Sequence, residues 1–429
     1  MSKTFDLIVV GAGPAGLMAA KTAGENNLTV ALIERKKDIT KWTRADCMMF
    51  YGLEGNFLGE DISVRVGKVT FPRNGFEVGY TGGLYPLYNW RVFSPCGHRI
   101  DFSSTSPIAA VFNKDILLRD LLQDAERAGV TVLQGALGVK VENTREGVKL
   151  LISRDGKQTW LTAKKLIAAD GINSRITESA GLNEGRPLMG RFNVVQYIMD
   201  GIENPYPNSW VQFYGKSLSP FAPLHFLQTV HGEKLQKLGA IRPAPGNPVE
   251  DLKKTMKDST FAPWFKNARI AYKMGVSVKA FMPIQNPVLG NVMSIGDAAA
   301  FAEVENQGGL MCGFHAANAV LKELSGENGC EAYIQWWQKS FEFLNPAVQQ
   351  IAQGYAINPY YEDAEIDYLF SLLEGKPFAG TINQYKIPKV LWGAIFQQKE
   401  RIDKEKPDLG KKIDAIHNMT VQEAFTVDT

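Results

Sequence analysis

The chain has 429 residues, 45% of them apolar and 21% charged, with a formal net charge of +2. This is a globular composition, long enough for two or three closely packed domains, and it excludes a disordered or fibrous chain. Near-balanced charge without a long block of one sign leaves no electrostatic footprint for nucleic acid, which is therefore not expected as a partner.

Cys47, Cys96, Cys312 and Cys330 lie far apart with no CxxC pair, so neither a metal site nor a disulfide framework is expected. Reduced thiols fit the cytoplasm. No apolar run reaches the length of a spanning helix. The first apolar residues run into a glycine-rich turn, as an opening strand does and a signal peptide does not. The expected location is cytoplasmic, with peripheral contact at the inner face of a membrane left open.

"FDLIVV" is a short β-branched run, as expected of a parallel strand buried on both faces. Gly11, Gly13 and Gly16 follow as GxGxxG, then the helical stretch "LMAAKTAGENN" and a second strand "TVALIER" containing Glu34. This is a complete βαβ unit, with Glu34 standing 18 residues after Gly16, where a carboxylate can accept hydrogen bonds from a ribose diol. The glycines allow a tight bend, close approach of backbone to a pyrophosphate and close helix-to-strand packing. The helix N-terminus adds unpaired N–H groups facing the phosphate charge.

From about residue 60 to 110, short alternating runs broken by Gly and Pro read as inserted antiparallel strands. Residues 114–129 return to helical periodicity and end at Gly129. "VTVLQ", "GVKVEN", "VKLLISR" and "KKLIAAD" supply four more strands. Mixed strands continue from about 190 to 282, "NVMSIGDAAAF" reads as a buried strand entering a loop and helix, and beyond about 326 the chain is helical and rich in aromatics. In the tail, "IPKVLWGAIFQQKERIDKEK" suits a helix packed over the first domain better than one docked on a membrane or partner, though the pattern fits both.

Two distant segments turn the dinucleotide reading toward flavin. "KLIAADGINS" at 165–174 is an apolar strand ending in Asp-Gly, and "NVMSIGDAAA" at 291–300 brings a second Gly-Asp, with Gly296 lying 280 residues after Gly16. A nicotinamide has no use for that late Gly-Asp, whereas an extended FAD does. The three segments, in this order, resemble the FAD-dependent superfamily that includes para-hydroxybenzoate hydroxylase, geranylgeranyl reductases and electron-transfer-flavoprotein dehydrogenases, over roughly residues 3–325.

The resemblance implies an α/β fold: a Rossmann-like FAD-binding domain, an inserted antiparallel or mixed β-sheet substrate domain and a C-terminal helical segment. The expected boundaries are 1–180 for the FAD-binding domain with its strand insertion at about 60–110, 181–282 for the substrate domain, 283–325 for a return to the first domain, and 326–429 for the helical region. It further implies non-covalent FAD, with Gly11, Gly13, Pro14, Ala15 and Gly16 at the pyrophosphate, Glu34 and Arg35 at the AMP end, and Asp297 after Gly296 at the ribityl chain. Arg44, Lys114, Leu137 and Asp170 join that set. Gly308, Gly309 and Leu310 would begin a helix whose N-terminus faces the pyrimidine end of the flavin and stabilises negative charge there.

The geranylgeranyl-reductase branch is the most similar. Its basic residue and Cys-Gly pair correspond to Arg44 and Cys47 in "RADCMM", and its RxxFDxxLxxxA helix corresponds to Lys114, Leu117, Leu121 and Ala125. The departures are equally specific. Met48 replaces the glycine after the cysteine, Thr177 stands where the Asp-Gly motif closes with arginine while Arg175 lies two residues earlier, "PFAPLHFLQ" at 220–228 lacks the branch's aromatic lipid motif, and Val304 and Gln307 replace a Pro and a Gly. The cofactor text is intact and the substrate text is rebuilt.

Cys47, a thiol beside a basic residue, is a candidate proton donor or substrate contact, in an environment expected to lower its pKa. Structural burial is the competing reading. Glu305, with Glu303 and Asn306, lies in a loop expected beside the flavin ring, where a carboxylate with a shifted pKa can relay a proton. Tyr85, Tyr88, Trp90 and His225 are candidate substrate contacts, with ordinary core packing as the alternative. His315 is read as structural.

The expected activity is reduction of a carbon–carbon double bond in an apolar, isoprenoid-like or other small organic substrate by hydride transfer from flavin N5. Electrons would come from NAD(P)H or from a protein redox partner. A flavin monooxygenase and an electron-transfer-flavoprotein or quinone dehydrogenase are the rival enzymes. Oligomeric state is not legible.

Overall fold

The apolar run Thr4–Val10 is the middle strand of a parallel sheet. Val30–Glu34 and then Thr131–Gln134 lie on one side of it, and Lys157–Ala168 lies on the other. Lys157–Ala168 is long enough to serve two partners along its far edge. Leu166–Ala168 pair in parallel with Val292–Ser294, while the preceding half pairs antiparallel with Val148–Arg154 and, through it, with Ala136–Asn143. The computed structural model describes residues 4–55, 57–300, 304–345, 357–383, 386–417 and 419.

Continuous burial of Leu7, Ile8, Val9, Leu32 and Ile33 explains why these strands show no alternation, since both faces of the sheet are covered. The helices Pro14–Glu25, Lys114–Arg127 and Glu305–Leu324 cover the face bearing Leu7, Val9 and Leu32, while Ala136, Val141, Leu150 and Ile176 cover the face bearing Ile8, Val10 and Ile33. The first and last of these helices pack closely because Gly313 has no side chain. A Cβ there would lie 2.3 Å from the Ala15 carbonyl oxygen. That contact brings chain separated by almost 300 residues to one end of the sheet.

The second large sheet has eight strands in the order 269–281, 188–200, 232–243, 224–229, 209–213, 89–93, 99–103 and 378–379. The two strands at 89–93 and 99–103 come from the early insertion and pair into this sheet, with Asn89–Phe93 parallel to Ser209–Phe213. One face packs Val211, Phe213, Phe226 and Leu238 against Leu252, Phe261 and Phe265 of the following helical segment. The opposite face sends Trp90, Trp210, Tyr214 and Leu227 into the core shared with the first sheet's helices. Two three-stranded sheets, 49–51/109–112/84–87 and 63–65/67–71/76–80, complete the β structure.

The C-terminal helices seal this assembly. Trp337 donates its indole N–H to the Ile284 carbonyl at 2.8 Å, and Asn358 accepts from the Gly215 backbone at 2.9 Å. In the tail helix Ile387–Phe396, Leu391, Trp392 and Ile395 are buried, with Trp392 5.9 Å from the Tyr361 ring. Packing therefore accounts for the apolar side of that helix. Among the described residues no helix is long and apolar enough to cross a membrane.

Candidate active site

A cleft of about 690 Å³ opens at the C-terminal ends of the parallel strands, between them and Gly275–Ser277 of the second sheet. Its size suits a cofactor-scale ligand. Of the residues expected to bind FAD, Gly11, Gly13, Pro14, Ala15, Glu34, Arg35, Arg44, Lys114, Leu137, Asp170, Gly296, Asp297 and Gly309 line it.

The three turn glycines divide into different physical tasks. Gly11 has φ +101°, and a Cβ there would stand 2.3 Å from the Ala169 carbonyl oxygen; at Gly16 a Cβ would stand 1.8 Å from the Gly11 carbonyl oxygen. Gly16 is thus packed under the turn and does not line the cleft. A Cβ on Gly13 would meet no protein atom within 4 Å, so its missing side chain leaves space for a ligand. Gly13 also N-caps Pro14–Glu25 without a side-chain hydrogen bond, leaving the first N–H groups of the helix for an anion.

The donor set fits FAD. Glu34 is held with one carboxylate oxygen accepting from Ala12 N and the other from Lys36 N, both at 2.8 Å, which fixes it at the rim of the turn. Arg44 lines the cleft with its Nε buried and without a partner, a cation that makes no salt bridge among the described residues although its charge reaches Asp297. Lys114, the first residue of its helix, lies 3.8 Å from the centre of the Trp42 ring and pairs with Asp46. Asp297 accepts from Val304 N at 3.1 Å; burial raises its pKa, against the lowering effect of that bond and of Lys114 and Arg44. Asp170 is likewise raised by burial, and its oxygens are taken up by Ser174 Oγ and the Arg175 and Ile176 N–H groups. Its carboxylate therefore caps the short helix Arg175–Ser179 at the cleft wall.

Two expectations near the flavin end need correction. The helix begins at Glu305, three residues earlier than expected, so Gly308, Gly309 and Leu310 lie in its first and second turns. Only Gly309 of those three lines the cleft; a Cβ on Gly308 would press on Leu58, Val304 and Phe341, and Leu310 is fully buried. Glu305 and Asn306 face the cleft from the first turn, and Glu305 holds φ +60°, a costly conformation for a non-glycine residue. Glu303 lies outside the described residues. Gln307, in place of the expected glycine, donates to the Tyr51 carbonyl at 3.1 Å and so ties the helix start to the strand Met49–Tyr51.

Cys47 sits beside this helix start, but its electrostatics are opposite to expectation. Burial pushes the thiol up to about 12, with Lys237 opposing and Glu305 reinforcing the rise. The thiol keeps its proton at neutral pH. Lys237, 2% exposed, donates to the Cys47 and Asp46 carbonyls, and burial lowers its own pKa to about 8. Burial tends to raise the Asp46 carboxyl, but the Lys114 and Lys237 cations and the Met48 N–H hold it below the ordinary range. Sequence reasoning missed Lys237 and Asp46. Lys237 occupies an ordinary alternating position in Gly232–Pro243, and nothing local marks its ammonium as buried.

The four expected substrate contacts do not line the cleft. Trp90 is core, 1% exposed, its N–H satisfied by Gln212 at 3.1 Å. Tyr85 accepts from Asn208 N at 3.2 Å, and Tyr88 is held by backbone bonds to Asn208 and Ser104. His225 stacks on Trp210 with ring centres 5.3 Å apart. His315 is a half-buried staple, bonded to Asn74 at 2.6 Å and stacked on Trp336.

Three comparisons place the chain among known proteins. The FAD binding domain family matches residues 4–218. A digeranylgeranylglycerophospholipid reductase from Methanothrix thermoacetophila is 28% identical over 354 residues, covering 78% of this chain and 83% of that protein. A geranylgeranyl bacteriochlorophyll reductase-like protein from Thermoplasma acidophilum shares the fold at TM-score 0.71 and 18% identity, over 97% of this chain and 100% of the other. A p-nitrophenol 4-monooxygenase from Pseudomonas putida shares it at 0.63 and 15%, over 93% of this chain and 98% of the other. With the glycine turn, Glu34 and Asp297 converging on one cleft, the chain belongs to the FAD binding domain family and is an FAD-dependent oxidoreductase.

Proposed function

We propose that this enzyme reduces a carbon–carbon double bond of an isoprenoid-like substrate. The observation that carries the reading is the placement of the Cys47 thiol, which burial keeps protonated, near Glu305 and directly after Asp46, two residues that line the cleft. Alkene reduction requires a proton for the second carbon, and a thiol that stays protonated at neutral pH can hold one there. The similarity to the Methanothrix reductase, a named lipid reductase, supports the same class of reaction.

Bound FAD supplies the two reducing electrons. The chain's own residues position and exclude. Lys237 and Gln196 anchor the loop carrying Cys47 to the second sheet, Gln196 accepting from Asp46 N at 2.9 Å. Lys114 anchors it to the first domain through Asp46. Tyr51, itself buried, hydrogen-bonds the thiol.

The test is to reduce the holoenzyme anaerobically and follow its visible spectrum after adding single acceptors. Polyprenyl alkenes are expected to reoxidise it with formation of the saturated chain. Reoxidation by oxygen plus an aromatic substrate, with alkenes inert, would instead identify a monooxygenase.

A further inference from the structure

The second sheet presents a polar patch one ring beyond Cys47, outside the lining of the cofactor cleft. Tyr51 bridges the two places: it bonds the Cys47 thiol and meets Trp210 edge-on at 6.1 Å. Trp210 is 8% exposed, and its indole N–H is buried with no partner among the described residues. His225 stacks against it at 24°.

The neighbouring Gln212 settles where the His225 proton is. Its Oε1 accepts from Trp90 Nε1 at 3.1 Å and from the Tyr214 hydroxyl at 3.2 Å. Trp90 can only donate, so the orientation of the amide is fixed and Gln212 Nε2 is the group that faces His225 Nδ1, at 3.3 Å. Nδ1 is therefore an acceptor, and the neutral imidazole carries its proton on Nε2. No described residue is bonded to that Nε2–H, and because His225 is only half-buried this donor reaches solvent, beside the buried Trp210 N–H. Burial, which lowers the His225 pKa to about 4, keeps the ring neutral across the physiological range.

Two stacked rings thus each carry an N–H donor without a protein acceptor. The buried Trp210 donor left unpaired costs about 1–3 kcal/mol, and the accessible His225 donor loses its water when a ligand covers it; a hydrocarbon ligand offsets neither and an oxygen acceptor can. No cation among the described residues acts on His225, and Lys237 is committed to the Cys47 and Asp46 carbonyls, so nothing here favours an anion. We propose that Trp210 and His225 form a paired donor site for an uncharged carbonyl oxygen, so that the substrate is an isoprenoid-like alkene bearing a ketone or quinone carbonyl. This rests on the alkene-reductase reading and narrows its substrate class.

The experiment compares two probes of equal chain length, a polyprenyl ketone and the matching polyprenyl hydrocarbon, titrated calorimetrically into oxidised holoenzyme in the same detergent. The ketone is expected to bind at least about tenfold more tightly, because a site built for a hydrogen bond rejects the analogue that lacks the acceptor. Trp210→Phe and His225→Phe keep an aromatic ring and remove an N–H. Each should bring ketone affinity down towards that of the hydrocarbon while hydrocarbon affinity and flavin content stay constant. Ring-nitrogen NMR of the wild-type protein should show His225 as the Nε2–H tautomer, unchanged between pH 5 and 8, and independent of whether either variant folds. Equal affinity for both probes, or the other tautomer, overturns the donor site and leaves the alkene-reductase reading standing. Failure of both probes to bind overturns both.

Discussion

The Lys237 ammonium donates to the backbone carbonyl of Cys47, so a strand of the second sheet holds the loop that places a thiol beside the cofactor cleft. The link spans 190 residues of sequence and crosses from one sheet system to the other. It makes the position of Cys47 depend on the packing of both.

The first prediction concerns Lys237→Met. The pKa of this lysine in the folded chain is about 8, below its ordinary value of 10.5. Between those values the unfolded chain binds more protons than the folded one, so stability from this group rises with pH over that window and is lost as pH falls through 8. Below it the buried ammonium persists because two carbonyls and Asp46 receive it. The variant loses those hydrogen bonds, at a cost of about 1–3 kcal/mol, and also loses the pH-dependent term. Urea denaturation at pH 7.5 and 9.5 should show wild type gaining on the variant with rising pH. A difference that does not change with pH would contradict the assignment.

A second prediction separates two glycines that look alike in the motif. Gly16→Ala drives a Cβ into the Gly11 carbonyl, whereas Gly13→Ala points one into open cleft. Gly16→Ala should therefore lower the melting temperature of the apoprotein as well as flavin content. Gly13→Ala should leave the apoprotein's melting temperature unchanged and weaken FAD binding about tenfold or more, because backbone and pyrophosphate can no longer approach. Flavin absorbance titrations and thermal melts of both apoproteins distinguish the cases.

This difference also marks how far the sequence could be read. The βαβ unit, Glu34 and the late Gly-Asp were legible because a dinucleotide demands glycine and carboxylate at set points along a short segment. The cluster around Cys47 was not. Asp46, Lys114 and Lys237 come from three distant elements, and their mutual distances depend on how the second sheet rests on the first domain. The thiol's pKa direction failed for the same reason: a nearby basic residue suggests lowering, but burial outweighs it. Met48 offers a partial signal. It holds φ +52° where the resembled motif has glycine, so the departure in sequence retains the backbone shape at a strain cost.

Arg44 supports a third prediction with opposite effects on two measurements. Its Nε is buried without a partner, so the apoprotein bears a half-buried cation with an unsatisfied donor that the cofactor's phosphates would pair. Arg44→Ala should leave the melting temperature of apoprotein unchanged or higher. FAD affinity should fall by about tenfold or more, as expected for losing a charge-assisted contact, and the stabilisation gained on adding FAD should shrink with it. If the variant melts lower as apoprotein and binds FAD normally, Arg44 is a packing residue only.

Cys47 gives the fourth. Its folded-state pKa of about 12 stands above the ordinary thiol value of 9.0, so the protonated thiol contributes stability that is present below pH 9 and lost as pH rises through 12. Alkylation requires the thiolate. Iodoacetamide at pH 8 should therefore label Cys47 far more slowly than Cys96, which is exposed and should serve as the internal reference when labelled peptides are quantified by mass spectrometry. Cys47→Ser keeps the backbone bond to Lys237, since that bond is to the carbonyl, so FAD content should be retained. If the thiol is the proton donor, turnover of an alkene should drop about 10²-fold or more, with the rate of flavin reduction unaltered. Rapid labelling at neutral pH would remove the protonated thiol from the mechanism. Unaltered turnover in the serine variant would move the proton donor to Glu305, whose first-turn position at the cleft provides the alternative route.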